Sequence, residues 1–405
     1  SGIIENLSAN EDVIENNSEA AENLAILIKN PIDINKVDAS ILLSLGFLKE
    51  NQISEIIEYT HLYGPLLHVL ELQTLPSINE QTFAFLHACF RVSNQTSNNN
   101  LLEHIVGREQ SMLLLRYGAA PANVPKEWKG SGDKASIRFQ TSIPNKMRFG
   151  FSLEKDAGEQ LKWNQTRNYY GFDNINIYLH YVPSKKWKQL TLGTQNLQFG
   201  QGVLMGAGFY AGKGSETITT LRKTGRAIIP IGSTTEYNRL FGISSTYQLT
   251  KHLSLTGFYS RTKEDAGIDA TKVEKTFQSI SETGYHRTEA ELAKRKALLV
   301  QVAGYHLRYE RRNFSIGNTY VYSVLSANLQ PNRNYYNQFY VAGKQFSGVS
   351  LDLQWQFQNM LLFGEAAATA SGGKAILIGT MIALHRKADF SILYRNYGKE
   401  YVSPF

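Results

Sequence analysis

From Ser111 onward the chain alternates apolar and polar residues. The clearest run is "VSLDLQWQFQ" (349–358), in which Leu351, Leu353, Trp355 and Phe357 alternate with Asp352, Gln354, Gln356 and Gln358. Such a run is a strand with one apolar and one polar face. The same period of two recurs in "IRFQTS" (137–142), "MRFGFSLEK" (147–155), "NINIYLHYV" (174–182), "LSLTGFYSRT" (253–262), "GYHLRYERR" (304–312) and "FSILYRNY" (390–397). A soluble β-sandwich uses short strands with the apolar face inward, whereas a membrane barrel turns that face to lipid and frames it with aromatic residues. Many of the segments run nine to twelve residues with Tyr, Phe or Trp near their ends, which favours an all-β transmembrane antiparallel β-barrel of twelve to fourteen strands over residues 111–405. Its lumen-facing candidates are Arg138, Arg148, Glu154, Arg308, Glu310, Asp352, Gln354 and Arg395. The final "KEYVSPF" (399–405) does not alternate, so no closing strand is expected there. An open barrel leaves an unpaired edge in lipid, so the chain reads as a possible fragment.

Before Ser111 the period is that of helices. Residues 1–29 hold Glu5, Glu11, Asp12, Glu15, Glu19 and Glu22 among Ile, Leu and Ala, an amphipathic pattern that stops at Asn30-Pro31. "VDASILLSLG", "KENQISEIIEYTHLYGP", "LHVLELQTLP" and "NEQTFAFLHACF" then read as two helix–turn–helix pairs, so residues 1–92 are expected to form a small all-α helix-hairpin-helix domain. "SNQTSNNN" opens a polar linker over 93–110.

Charge divides the chain at the same place. Residues 1–110 contain 5 Lys and Arg against 15 Asp and Glu, a net −10, whereas residues 111–405 contain 37 against 20, a net +17. A helix-hairpin-helix that binds DNA needs small hairpin residues so that backbone N–H groups can approach a phosphate. Here Gly46 is kept, but Leu48 fills the second glycine position ahead of Lys49, and in the second hairpin Ser77 and Asn79 fill both. An acidic module also repels a polyanion. Protein docking in the envelope is the better reading of residues 1–92, on a barrel that acts in transport or as a subunit of an envelope assembly, with a DNA-uptake pore as the alternative.

No run of 18 apolar residues exists, so no transmembrane helix is expected. The single Cys89 lies between apolar runs and reads as a buried hydrophobe. "TGYHRTEAELAKRKALL" (283–299) interrupts the strands, with Thr288 and Glu291 spaced as a capping box. Tyr285, His286, Arg287, Thr288 and Glu291 therefore mark either a plug folded into the barrel or an ordinary surface loop. Glu154, Asp156 and Glu159 suit Ca²⁺ or acid catalysis, and a solvated turn equally well. "GAGFYAGKGS" (206–215) lacks the spacing of a phosphate loop and reads as a turn. His180, His286 and His306 have no nucleophile and carboxylate at a telling spacing. Neither enzymatic activity, nor a metal, nor a cofactor is expected.

With both halves in view, the chain resembles Bacteroidota outer-membrane proteins that carry a helix-hairpin-helix domain. The residues that carry the resemblance are "NPIDIN", "YGPLLHVLELQ", "EKDAGE", "YGFD", "LQFGQG", "TGYHR" and "LYRNY", spread from Asn30 to Tyr397. The head is similar to the competence protein ComEA, the source of the DNA-uptake reading, and it departs from that pattern at Leu48, Ser77 and Asn79. The resemblance implies a β-barrel in the outer membrane of a Gram-negative bacterium, surrounded by outer-membrane lipid, with its head in the periplasm. It also implies members longer at the C-terminus, and it implies no particular activity.

Overall fold

The structure is a computed structural model of the 405-residue chain. It describes residues 31–36, 42 and 50–92 apart from 76 and 79. It also describes 111–403 apart from 120–123, 144–145, 165–168, 185, 207–220, 224–226, 270, 272, 336–337 and 386–387. The segment 1–29, most of "VDASILLSLG", the linker, and Gly46, Leu48, Lys49 and Asn79 lie outside the described residues.

In the head, β1 (Ile32–Asp33) pairs in parallel with β2 (Phe90–Arg91), a closure that helical periodicity does not announce. Between them lie α1 (Glu50–Tyr63), a 3-10 helix (Val69–Thr74) and α2 (Glu80–Cys89). The 3-10 segment replaces the α-helix expected over "LHVLELQTLP". Its reason is spacing: Leu66, Val69, Leu72 and Leu75 are buried at every third position, the repeat of a helix with three residues per turn. Glu71 fixes its start by accepting from the N–H groups of Leu67 (2.7 Å) and His68 (2.9 Å). Asn35 ties the chain entry to it, donating to the Leu66 carbonyl and accepting from the Leu66 N–H, both at 2.8 Å. Cys89 is fully buried in this core beside Leu86 and Phe90.

The remainder is antiparallel sheet. In chain order it comprises β3 (Ser111–Gly118), β4 (Lys134–Ile143), β5 (Met147–Lys155), the small hairpin β6 (Lys162–Asn164) and β7 (Tyr169–Gly171), β8 (Asn174–Tyr181), β9 (Trp187–Gln198) and β10 (Ala227–Pro230). It continues with β11 (Leu240–Gln248), β12 (Leu253–Glu264), β13 (Ala266–Asp269), β14 (Thr276–Ile280), the helix α3 (Glu289–Lys294), β15 (Leu298–Arg311) and β16 (Phe314–Leu329). β17 (Gly343–Phe357), β18 (Met360–Thr369), β19 (Lys374–His385) and β20 (Ala388–Tyr397) complete it. The main path is β20-β19-β18-β17-β16-β15-β12-β11-β9-β8-β5-β4-β3, and among the described residues β3 and β20 are not paired with each other.

Polarity along this path is inside-out relative to a soluble protein. Asn176, Thr191, Ser244, Thr256, Thr319 and Ser350 are buried on the inner face, while Ile177, Leu192, Ile243, Ile316, Leu351 and Ile378 stand exposed on the outer one. Only a solvent as apolar as lipid makes that arrangement favourable. Exposed aromatic pairs, Trp187 with Tyr247 and Trp355 with Phe357, gather near one end of the sheet, as an interfacial girdle does.

The two ends differ. At one, six connections of two to five residues join consecutive strands (144–146, 182–186, 249–252, 312–313, 358–359 and 386–387). At the other lie the long segments 119–133, 156–173, 199–239, 265–297 and 330–342. β3 starts at the short-turn end, where Ser111 pairs with Thr141, so the chain enters the barrel from that side. No helix among the described residues is long and apolar enough to cross a membrane.

Candidate functional site

The chain itself enters the lumen. After β9 the segment Phe199–Gly206 turns inward, and Gly200 (φ +54°) and Gly202 (φ +69°) adopt the left-handed conformation that favours glycine. A Cβ on Gly200 would stand 2.7 Å from the Asp352 Cβ of β17, so the backbone lies directly on the far wall. Glu365 of β18 holds the segment, its carboxylate accepting from the N–H groups of Gln201 (2.7 Å), Val203 (3.0 Å) and Leu204 (3.2 Å). Phe199 stacks on His306 with ring centres 4.5 Å apart and on Phe258 at 5.8 Å. From the segment after β20, Tyr401 and Ser403 donate to the carbonyls of Val203 and Leu204, each at 2.8 Å.

This plug has an apolar core. Phe199, Val203, Leu204 and Met205 are buried against Val302, Val321, Phe363 and Ala367, inward-facing residues of β15, β16 and β18. Burying four such side chains contributes on the order of 6–12 kcal/mol. Unassisted withdrawal is therefore rarer than about one part in 10⁴.

Arg138, Arg148, Glu154, Arg308, Glu310, Asp352, Gln354 and Arg395 share the inward-facing register of their strands. They do not form one site. Glu154 and Asp156 face Lys134 at 3.3 and 2.7 Å, Arg308 faces Glu310 at 3.3 Å, and Gln354 accepts from Arg222 at 2.8 Å. His180 and His306 are bonded to Thr191 (2.8 Å) and Thr319 (2.9 Å).

A second constellation gathers at the long-loop end. His286 is bonded at Nδ1 to Asp173 and at Nε2 to Asp265 (2.6 Å), and its N–H donates to Glu159 (3.0 Å). Arg295 donates to Asp173 (2.7 Å), and the Lys296 N–H to Asp265 (2.6 Å). Burial alone would depress the His286 pKa, but its bonds to Asp173 and Asp265 carry it up to about 9. Burial, then the charge of Asp173, pushes Glu159 up to about 7. Burial, with Glu159 and Asp173 nearby, pushes Glu236 up to about 9. Ligand atoms of Glu159, Asp173 and His286 lie within 4.8 Å of one another, and both ring nitrogens of His286 are engaged by carboxylates. The constellation is an ionic clamp joining 156–173 to 265–297.

The lumen-filling role, expected as one reading of Tyr285–Glu291, belongs to Phe199–Gly206. The Tyr285–Glu291 segment caps the long-loop end. The Thr288 hydroxyl accepts from the Glu291 N–H (3.3 Å), the Glu291 carboxylate accepts from the Thr288 N–H (3.0 Å), and Arg287 stacks over Tyr285 at 3.8 Å. "EKDAGE", "YGFD" and "TGYHR" supply Glu159, Asp173 and His286, so three of the stretches that carry the resemblance meet in the clamp, while "LQFGQG" opens the plug.

Fold and site together define a membrane-type antiparallel β-barrel stoppered from within and preceded by a helical head. No family model matches the chain, and no curated protein matches it. Among solved structures, an anion-selective porin from Comamonas acidovorans aligns at 13% identity over 71% of this chain and 79% of its own, with a TM-score of 0.32. Salmonella typhi OmpF in complex with daunomycin aligns at 11% identity over 72% and 92%, with a TM-score of 0.30. The NanC porin aligns at 10% identity over 68% and 100%, with a TM-score of 0.28. At these TM-scores the likenesses carry no argument about this chain's activity.

Proposed function

We propose that the protein is an outer-membrane β-barrel that anchors a periplasmic docking head and serves as a subunit of an envelope assembly. The plug carries this reading, since Phe199, Val203, Leu204 and Met205 pack as an apolar core inside the wall, where an open water-filled channel would carry polar side chains. Orientation supports it as well. Short turns face the periplasm in outer-membrane barrels, and β3 begins at the short-turn end, which supports a periplasmic head.

The DNA-uptake alternative finds little support in the second hairpin. The Ser77 N–H donates to Glu55 (3.0 Å), the Ser77 hydroxyl donates to the same carboxylate, and the Ser77 carbonyl accepts from Gln52 (2.9 Å). An internal carboxylate thus takes a donor that a phosphate would need.

The test is affinity purification of the full-length protein from detergent-solubilised native membranes, with and without residues 1–92. A stoichiometric envelope protein that disappears on deletion upholds the docking reading. Salt-dependent retention of DNA by the full chain, lost on the same deletion, would replace it with the uptake reading. Steady conductance of the purified protein in planar bilayers, with no partner captured, would replace it with a channel.

A further inference from the structure

The short-turn rim carries charge of one sign. Among the described residues its turns hold Lys146, Lys186, Lys251 and Arg312 and no Asp or Glu. The five long segments at the opposite end mix the signs, with 16 Lys and Arg against 13 Asp and Glu. Lys186, Lys188, Lys251, Arg311 and Arg312 are exposed. Glu310 and Asp389 are the acids within two residues of these turns, and Glu310 is already drawn to Arg308 at 3.3 Å. A ring of one sign on a protein rim repels itself unless an anionic surface covers it.

Such a surface is tethered to this rim. Residues 1–92 hold 13 Asp and Glu against 4 Lys and Arg, and the chain passes from them into β3 at the short-turn end. Residues 93–110 can span at most about 65 Å. That leash holds the head near the rim at an effective concentration on the order of a millimolar.

We propose that the basic short-turn rim is the seat of the chain's own acidic head. The envelope partner then competes with the rim for the head, and presents a basic surface of its own. The proposal rests on the barrel reading but not on the existence of a partner, because the contact is read in the purified protein.

The experiment is zero-length carboxyl–amine cross-linking of the full chain in neutral detergent micelles, with the joined peptides mapped by mass. At about 10 mM salt, where the Debye length is roughly 30 Å, residues 1–92 join to Lys146, Lys186, Lys188 or Lys251 within single chains. At about 1 M salt, where it is roughly 3 Å, the yield falls at least about fivefold. The variant R311E/R312E, which leaves every linkable lysine in place, lowers the link yield at low salt, and because the salt series needs no variant, a misfolded one would not hide the answer. Absence of head–rim links at low salt overturns the proposal. Links found only between two chains assign the rim to a second copy and overturn it too. So does loss of the links on transfer from phosphatidylcholine to phosphatidylglycerol vesicles, which assigns the rim to anionic lipid.

Discussion

The two ends of the barrel handle charge in opposite ways. At the long-loop end acids and bases are drawn inward and matched, so that His286 sits between Asp173 and Asp265, while Arg295 donates to the Asp173 carboxylate and the Lys296 backbone N–H to that of Asp265. At the short-turn end Lys186 and Lys251 are exposed, and the turns hold no acid among the described residues. The difference shows what burial does to a charge. A buried charge holds structure together because it has to be paired, and an exposed ring of one sign contributes little to folding and remains available for recognition.

Substitutions should separate the two ends by size of effect, with the plug as the upper reference. Glu365→Ala orphans three buried N–H groups and is expected to cost about 3–5 kcal/mol, read as a lower denaturant midpoint, with Glu365→Gln less damaging because it keeps an acceptor. His286→Ala leaves Asp173 and Asp265 without the cation they share. It is expected to cost about 3 kcal/mol and to speed hydrogen exchange in 156–173 and 283–297 but not in the head.

pH probes the same clamp without a mutation. His286, at about 9, and Glu159, at about 7, hold protons in the fold that they release on opening. Glu236, at about 9, behaves likewise. Their contribution is complete below the ordinary pKa of each group and is lost as pH rises through the folded value. Burial lowers Lys296 to about 8, which acts in the opposite direction above that pH. Asp173 and Asp265, which burial would raise but their bonds to His286 hold below the ordinary carboxylate range, face these groups and keep their charge throughout. Loop-end protection should therefore fall between about pH 4.5 and pH 9, by on the order of a few kcal/mol. Protection that rises over this window would contradict the clamp.

Smaller effects complete the contrast. Thr288→Ala removes the cap of α3 and is expected to cost about 1 kcal/mol, with faster exchange confined to Glu289–Lys294. Lys251→Glu at the short-turn end should change stability by less than about 0.5 kcal/mol. A larger loss there would mean that the rim is structural.

Strand positions were legible from the period of two, which placed "MRFGFSLEK" on β5 residue for residue and "FSILYRNY" within β20. The cap at Thr288 was equally plain, because its signal spans three residues. The plug is not legible in the sequence, since "LQFGQG" is rich in glycine and carries neither the period of a strand nor that of a helix. Two signs pointed to it. "VLM" (203–205) places three apolar residues in a loop that solvent would not favour, and Val302, Val321 and Phe363 put apolar residues on faces that should be polar. The clamp had no such sign, because His286 lies 113 residues from Asp173 and 127 from Glu159. No local period reports a meeting over that distance.

The three N–H groups on Glu365 belong to residues 161 to 164 positions earlier in the chain. Contacts of such long reach form late, because the loop between them must be closed first. The stopper therefore cannot set until β18 has arrived, and a chain halted before Glu365 keeps a wet, unfilled interior. During assembly the plug acts as a completion mark that only a nearly finished wall can lock.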